Sequence, residues 1–571
     1  MYNYIKTALI VLFTLLAFIL LKACDLSENM RSGVTADEFY STDAGFEDLA
    51  VAMYEPLRQY YGVRRAGYIM TSKGTDIFKY GTGARPYWAT YSGINPTVQS
   101  MTARGPFRIW QQFYRGVNLT NSVIARADDV QDIEEDLKNR LVAEAHFLRA
   151  HYYHILVQTW GNIHLSLEET QGVETEVNYV SEDEVWPHII SDLEFAITNL
   201  PPVQNQLGRA TSSAAQHLLS RVHLILGNWQ EAANLSTDLI QSGNHSLEES
   251  VLDLWDPCRY RGGNASNETI FAMTKNQDIR FGSTVHKSRE YASRTRGEAG
   301  VTADFAIGTQ VSRHRPTEFF ITEVFGNTPE HGVNQWNDER WKLFKDVWYF
   351  NDEGGLPEGA ALGDTALYFT TTPDWQELSR EEVDAIEEER GGAIRIFRIE
   401  DYTDRLWVSL AYKFRLCDPS GSNIPHKGLP VRNDVGGGNP EWFGRTVNIF
   451  RLAETYLIAA ESLMNLNQRN EAAEYFNALR QRAQTPGQTI ELVSPNELDI
   501  DVILDERARE LVGEHLRWFD LKRLGEDVFL RRIREHNPQA APNVQAYHML
   551  RPIPQEQIDR TTNEFPQNPG Y

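Results

Sequence analysis

A mainly α-helical fold is what this sequence predicts, and three observations predict it. Around the stretch EAHFLRAHYYHILVQTWGNIHL (144–165), Leu137, Leu141, Ala145, Leu148, Tyr152 and Ile155 recur at spacings of three and four, so one helical face is apolar and has to be covered by other helices. The chain also repeats itself. LILGNWQEAANLSTDL matches MNLNQRNEAAEYFNAL at an offset of 240 residues, pairing Leu226 with Leu466, Glu231-Ala232-Ala233 with Glu471-Ala472-Ala473, and Leu239 with Leu479. Each copy reads as a helix, a tight turn and a second helix whose alanines allow close packing, the form of a tetratricopeptide-like hairpin. Between the copies, over about 246–445, the helical period breaks down into a segment rich in Gly, Pro, Trp and charge. The expected architecture is therefore a helical-hairpin scaffold carrying a large irregular insertion with a few short strands.

Taken in order, residues 1–24 open with Lys6, an apolar run over 8–21 and Leu21-Lys22-Ala23-Cys24. A run of that length is short for a spanning helix and suits a signal peptide ending before a lipid-modified Cys24. No later stretch is apolar enough to span, so the mature chain, 24–571, is expected to be anchored by acyl chains. Residues 42–61 form a first scaffold helix, with Phe46, Leu49, Met53 and Leu57 at helical spacing and Asp43 as a cap. Residues 64–105 differ: Asp76, Tyr80, Arg85, Tyr87, Trp88 and Tyr91 stand among glycines and prolines with no sustained period, the pattern of a functional loop. Helix resumes over 107–127, where Trp110, Tyr114, Val117, Asn121 and Ile124 share a face and Trp110 belongs to the core. After the central helix, Ser181-Glu182-Asp183-Glu184 is a capping box opening a helix to about Leu200, stopped by Pro201-Pro202, and another helix covers 211–226.

The insertion carries Trp255, Trp336, Trp341, Trp348, Trp375 and Trp407 and short alternating runs such as IRIFRI over 394–399, which read as short strands packed on the scaffold. The second half resumes at 447–466 and ends in one helix from Ile503, in which Leu504, Ala508 and Leu511 line a face while Glu506, Arg507, Glu510 and Glu514 offer ion pairs at helical spacing. The expected divisions are scaffold over about 36–245 and 446–530, insertion over about 246–445, and an extended, proline-rich tail over about 531–571.

The formal charge of 55 − 79 = −24 makes a surface that repels phosphate backbones, which argues against a nucleic-acid partner. Three cysteines, Cys24, Cys258 and Cys417, contain no CxxC pair, which argues against zinc or redox chemistry. HExxH, GxSxG and P-loop motifs are absent, and 79 acidic residues make any chosen carboxylate pair uninformative. His151 and His154 share a helical face, but no third ligand stands near them. No metal or cofactor is expected.

FLRAHYYHILVQTWGN, the LSRVHLILGNW-x-EA hairpin, FRLAETYLIAAESL followed by ERARELVGEHLRWFDLKRLG, and the closing RPIPQEQIDRTTNEFPQNPGY occur in this order. Together they resemble the SusD/RagB family, surface lipoproteins that hand glycans to outer-membrane importers in Bacteroidetes. A further, weaker match is RPTEFF with DERW, and His164 stands where the family usually has proline. The resemblance implies a non-catalytic glycan binder that partners a TonB-dependent, SusC-like importer at the outer membrane. Asp25 and Glu28, just after Cys24, resemble the signals that send such lipoproteins to the cell surface.

Sugar rings stack their C–H faces on flat aromatics, and their hydroxyls meet Asp, Asn or Arg at the edge. DIFKYGTGARPYWATYSG supplies both kinds of group, and Trp336 with Asn337 and Asp338 offers a second wall. The resemblance implies that ligand contacts come from these two regions, so Asp76, Tyr87, Trp88 and Trp336 are the expected ligand-binding residues. A competing reading is a tetratricopeptide-type adaptor lipoprotein whose helical groove binds a protein or peptide.

Overall fold

The computed structural model describes residues 35–62, 67–81, 86–95, 107–130, 132–256, 259, 265–274, 288–291, 293–295, 297–301, 313–326, 337–369, 379–403, 405–410, 413 and 446–571. Residues 1–34, with the expected signal peptide and Cys24, and Arg85, Cys258, Trp336, Trp375 and Cys417 lie outside the described residues.

The first longer helix, α1 (Asp43–Ala52), is capped by Thr42, whose hydroxyl accepts from Gly45 N at 3.1 Å, while Asp43 sits in the first turn. It stops well short of residue 61. Pro56, which has no N–H to continue the ladder, is followed by a π turn over Arg58–Gly62. Next come α2 (Phe107–Arg126) and α3 (Glu135–Trp160), whose second half is buried on every side because α2 packs on one flank and α4 (Glu182–Asn199) on the other. The capping box at the head of α4 is formed by Ser181 and Glu184.

The two repeat copies are α5 (Ser212–Leu226) with α6 (Trp229–Gln241), and, beyond the insertion and α7 (Arg380–Glu389), α8 (Leu452–Asn465) with α9 (Arg469–Ala483). Their turns hold the same geometry. Gly227 (φ 73°) and Asn467 (φ 61°), 240 positions apart, both take the left-handed conformation, which glycine adopts freely and asparagine tolerates. The copies pack directly on one another: Ala232 meets Ile458, and Ala233 joins Ala453 and Leu457.

The strands are short. They are β1 (Phe78–Tyr80) antiparallel to β5 (His314–Pro316), β2 (Ile163–His164) to β3 (Tyr179–Val180), and β4 (Thr269–Met273) to β9 (Val447–Arg451), plus a sheet of β6 (Val347–Tyr349), β7 (Thr365–Phe369) and β8 (Arg395–Phe397). β7 and β8 are parallel, and α7 makes the crossover that such a pair requires. The β4·β9 ladder brings the two ends of the insertion together. The insertion builds an apolar core in which Trp255, Trp341, Trp348 and Trp407 pack with Phe320 and Phe344, and which Phe78, Ala483 and Ala508 join from outside it. The mainly helical scaffold with few strands is borne out.

The last expected helix is in fact two, α10 (Ile500–Leu511) and α11 (Arg517–Arg523), followed by α12 (Glu526–His536). Gly513 (φ 76°) and His515 (φ 68°) carry positive φ and end the helix between them. Arg509 pairs with Glu506 along α10 at 2.7 Å, and its other charges make ion pairs across the fold. Leu504, Ala508 and Ile503 belong to three different apolar cores, so the helix has almost no solvent-facing side. Arg340 donates to Glu506 at 2.6 Å, Glu510 at 3.0 Å and Asp338 at 2.7 Å, Arg507 to Asp520 at 2.8 Å, and Arg451 to Glu514 at 2.8 Å. Buried charges persist only when paired in this way.

The C-terminal residues clasp the end of α3. Trp160 Nε1 donates to Pro552 O at 3.0 Å, and Asn568 Nδ2 reaches Trp160 O and Arg551 O, each at 2.8 Å.

Candidate functional site

β1 lies in the aromatic loop of 64–105, and β5 begins the RPTEFF segment. Their pairing sets Phe78 opposite Pro316, Lys79 opposite Arg315 and Tyr80 opposite His314. Gly81 N donating to Arg313 O at 3.2 Å and Thr317 N donating to Ile77 O at 3.0 Å extend the ladder at both ends. Two segments more than two hundred residues apart in sequence therefore lie side by side.

The ladder is held from below by charge. Asp76 is fully buried, and its carboxylate accepts from Arg517 Nε at 2.8 Å and Nη2 at 2.5 Å, and from Arg532 Nε at 3.1 Å. Burial alone would push that carboxyl up, but the two guanidiniums outweigh it and hold it at about 2. The chain following α12 straps the strand: Asn537 Nδ2 donates to Thr75 O at 2.7 Å, and Gln539 Oε1 accepts from Tyr80 N at 2.7 Å.

Trp88 sits on the short helix Tyr87–Thr90 with 0% of its surface exposed. The Arg551 guanidinium lies 5.0 Å from its ring centroid, and Phe107 meets it edge-on at 6.1 Å. Gly74 (φ 75°) lets the loop close over it, since a Cβ there would stand 2.9 Å from Trp88 O. Asp76 and Trp88, both fully buried, thus face inward and brace the ladder. Tyr87 is half-buried. Asn337 donates to Thr489 O at 3.0 Å and Asp338 is fully buried against Arg340, so neither forms an open wall.

Beside the ladder opens a cleft of about 660 Å³ between the residues following β5, the turn after β8 and the end of α12. Its floor is a stacked pair: the Phe319 and His536 rings lie 3.6 Å apart at 17°. Burial and the neighbouring Arg532 push the His536 pKa down, so the imidazole is neutral at pH 7. Glu318, Glu323, Glu400 and Glu535 rim the cleft, together with Arg398, which pairs with Glu400 at 2.8 Å. Lys79 of β1 lies 3.8 Å from Glu318, tying the ladder to the rim. Flat rings edged by carboxylates and a guanidinium suit a polyhydroxylated ligand with an apolar face. RPTEFF marks Phe319 in the sequence; nothing in it marks His536, which reaches the cleft from the far end of the chain. The other histidines of interest are spent elsewhere: His151 meets Tyr61 Oη at 3.1 Å and His154 meets Gln158 at 2.8 Å.

A family model described as the SusD family matches residues 431–571, and one described as starch-binding associating with outer membrane matches residues 60–224. SusD-like protein P25 of Formosa agariphila is 24% identical over 550 residues, covering 93% of this chain and 93% of that protein. Among solved structures, a laminarin binding SusD-like protein superposes with a TM-score of 0.63 at 21% identity, over 93% of this chain and 100% of that one. Surface glycan-binding protein A from Bacteroides thetaiotaomicron, in complex with laminarihexaose, superposes with a TM-score of 0.65 at 19% identity, over 92% and 99%.

Proposed function

The chain belongs to the SusD/RagB family, and from that premise we propose that it is a non-catalytic surface lipoprotein that captures an oligosaccharide or polysaccharide and delivers it to a TonB-dependent, SusC-like outer-membrane importer. Residues 1–23 are the signal peptide, and Cys24 carries the lipid that holds the mature chain, 24–571, at the outer membrane. The β1·β5 pairing is the observation that carries the reading, because it sets the aromatic loop beside RPTEFF at the edge of an open cleft. The likeness to a laminarin binding SusD-like protein and to a surface glycan-binding protein in complex with laminarihexaose adds support. Tyr87 and Trp336 contact the glycan, with Phe319 and His536 as the stacked floor, while Asp76 and Trp88 brace the site from beneath.

Calorimetric titration of the soluble chain beginning after Cys24 tests this, against laminari-oligosaccharides and a panel of plant, host and microbial glycans. One glycan class should bind without release of new reducing ends, and Tyr87→Ala and Trp336→Ala should each weaken binding by about tenfold or more, a stacking contribution on the order of 1–2 kcal/mol. A folded protein that binds no member of the panel would overturn the reading in favour of a peptide-binding adaptor.

A further inference from the structure

A second cleft, of about 490 Å³, opens on another part of the surface, between α2, the loop joining β2 to β3, and the tail near residue 560. It shares no lining residue with the first. Its floor is aromatic. The Trp110 and Tyr114 ring centroids are 4.9 Å apart, and Tyr114 and His164 lie 5.7 Å apart at 32°. Tyr114 donates its hydroxyl proton to His164 O at 2.8 Å, which fixes the ring against the strand.

His164 is held in one tautomer. Its Nδ1 accepts the Asn178 backbone N–H at 2.9 Å, so the ring proton sits on Nε2. Burial lowers the His164 pKa, which keeps the imidazole neutral at pH 7 and Nε2–H a donor. The rim offers donors and acceptors of both signs: the Arg560 guanidinium, the Thr175 hydroxyl and the Glu174 and Glu176 carboxylates. Arg560 is exposed and has no side-chain partner among the described residues.

We propose that this cleft is a second saccharide-binding site, taking a short run of an uncharged oligosaccharide with its C–H face on Tyr114 and His164 and its hydroxyls on Arg560, Thr175 and Glu176. The volume lies within the range of pockets that enclose small ligands. The rim, with two carboxylates to one guanidinium, selects against anionic ligands, and aromatic faces edged by planar polar groups are the counterpart of a sugar ring. Two clefts on one rigid chain hold one polymer at two points, so a polysaccharide gains affinity over a short oligosaccharide without any new contact.

The test uses a Tyr87→Ala/Trp336→Ala chain, in which the first site keeps only its Phe319–His536 pair, titrated by calorimetry with laminarihexaose, maltohexaose, cellohexaose and mannohexaose. Binding of at least one hexasaccharide should persist, and Arg560→Ala or His164→Ala added to that chain should weaken it fivefold or more. Arg560 is on the surface, so its loss leaves the fold intact, which thermal melts verify. The proposal is overturned if the double variant, still folded, binds none of the four, or if Arg560→Ala and His164→Ala both leave the residual binding unchanged. In the parent chain, loss of binding in Tyr87→Ala and Trp336→Ala reports on the first site separately, so failure of either site is distinguishable from failure of the other.

Discussion

Trp88→Ala removes an indole that has 0% of its surface exposed and supports a guanidinium. The variant is expected to lose about 3–5 kcal/mol of stability in urea unfolding. In the fraction that stays folded, glycan affinity should fall far less than in Tyr87→Ala. A tryptophan among glycines and prolines reads as a ligand platform because nothing in the linear sequence marks Arg551 as its partner. Asp76 was hidden in the same way, since Arg517 and Arg532 are about as far off in the chain. Asp76 and Glu506 are each held at about 2 by paired guanidiniums despite burial, whereas unfolded carboxyls titrate near pH 4. Because their folded values are depressed, the stabilisation is fully present above the unfolded value and lost as pH falls toward the folded one. Unfolding free energy should therefore hold steady from pH 7 to 5 and drop between about pH 4 and 2, by on the order of 2–3 kcal/mol per carboxylate, which urea titrations at stepped pH would measure.

Single elements were the part most readable from sequence, where the signal is local. Ser181 and Glu184 announce α4, Thr211 opens α5, and the 240-residue offset locates both hairpins. The two repeat turns give a matched test. Gly227→Ala forces a side chain into the left-handed region and should cost about 1 kcal/mol, while Asn467→Gly should be neutral or slightly stabilising; paired thermal melts would check both. The reading of α10 failed for a reason of burial. Its charges are expected to pair along the helix, but three cores surround it, and beyond the one internal pair, Arg509 with Glu506, the charges take partners from other elements. Arg340→Met would strand Asp338, Glu506 and Glu510 without their shared cation. A loss of about 3–5 kcal/mol is expected, read as a lower urea midpoint with α-helical circular dichroism retained in the surviving native state.

For the molecule as a whole, the helical scaffold was legible from periodicity and repetition, whereas the clefts were not, because each is assembled from three distant stretches that no local pattern connects. The tail shows the same limit: its prolines predict an extended path but not the buried bonds to Trp160 that fasten it. The two hairpins, stacked through Ala232, Ala233, Leu457 and Ile458, have a bearing on the life of the chain before it is finished. At a synthesis rate of about 5–20 residues per second, the second hairpin follows the first by roughly 10–50 s. For that interval the alanine face of α6 has α5 beside it but not α8, and the β4·β9 ladder that will close the gap has only one of its strands. The tryptophan core of the insertion also takes in Ala483, Ile490, Ala508 and Val512, all synthesised after β9, so it too is completed only once the second hairpin has emerged. The nascent chain thus presents one specific, short-lived adhesive surface, and that surface is where a holding chaperone would have something to grip.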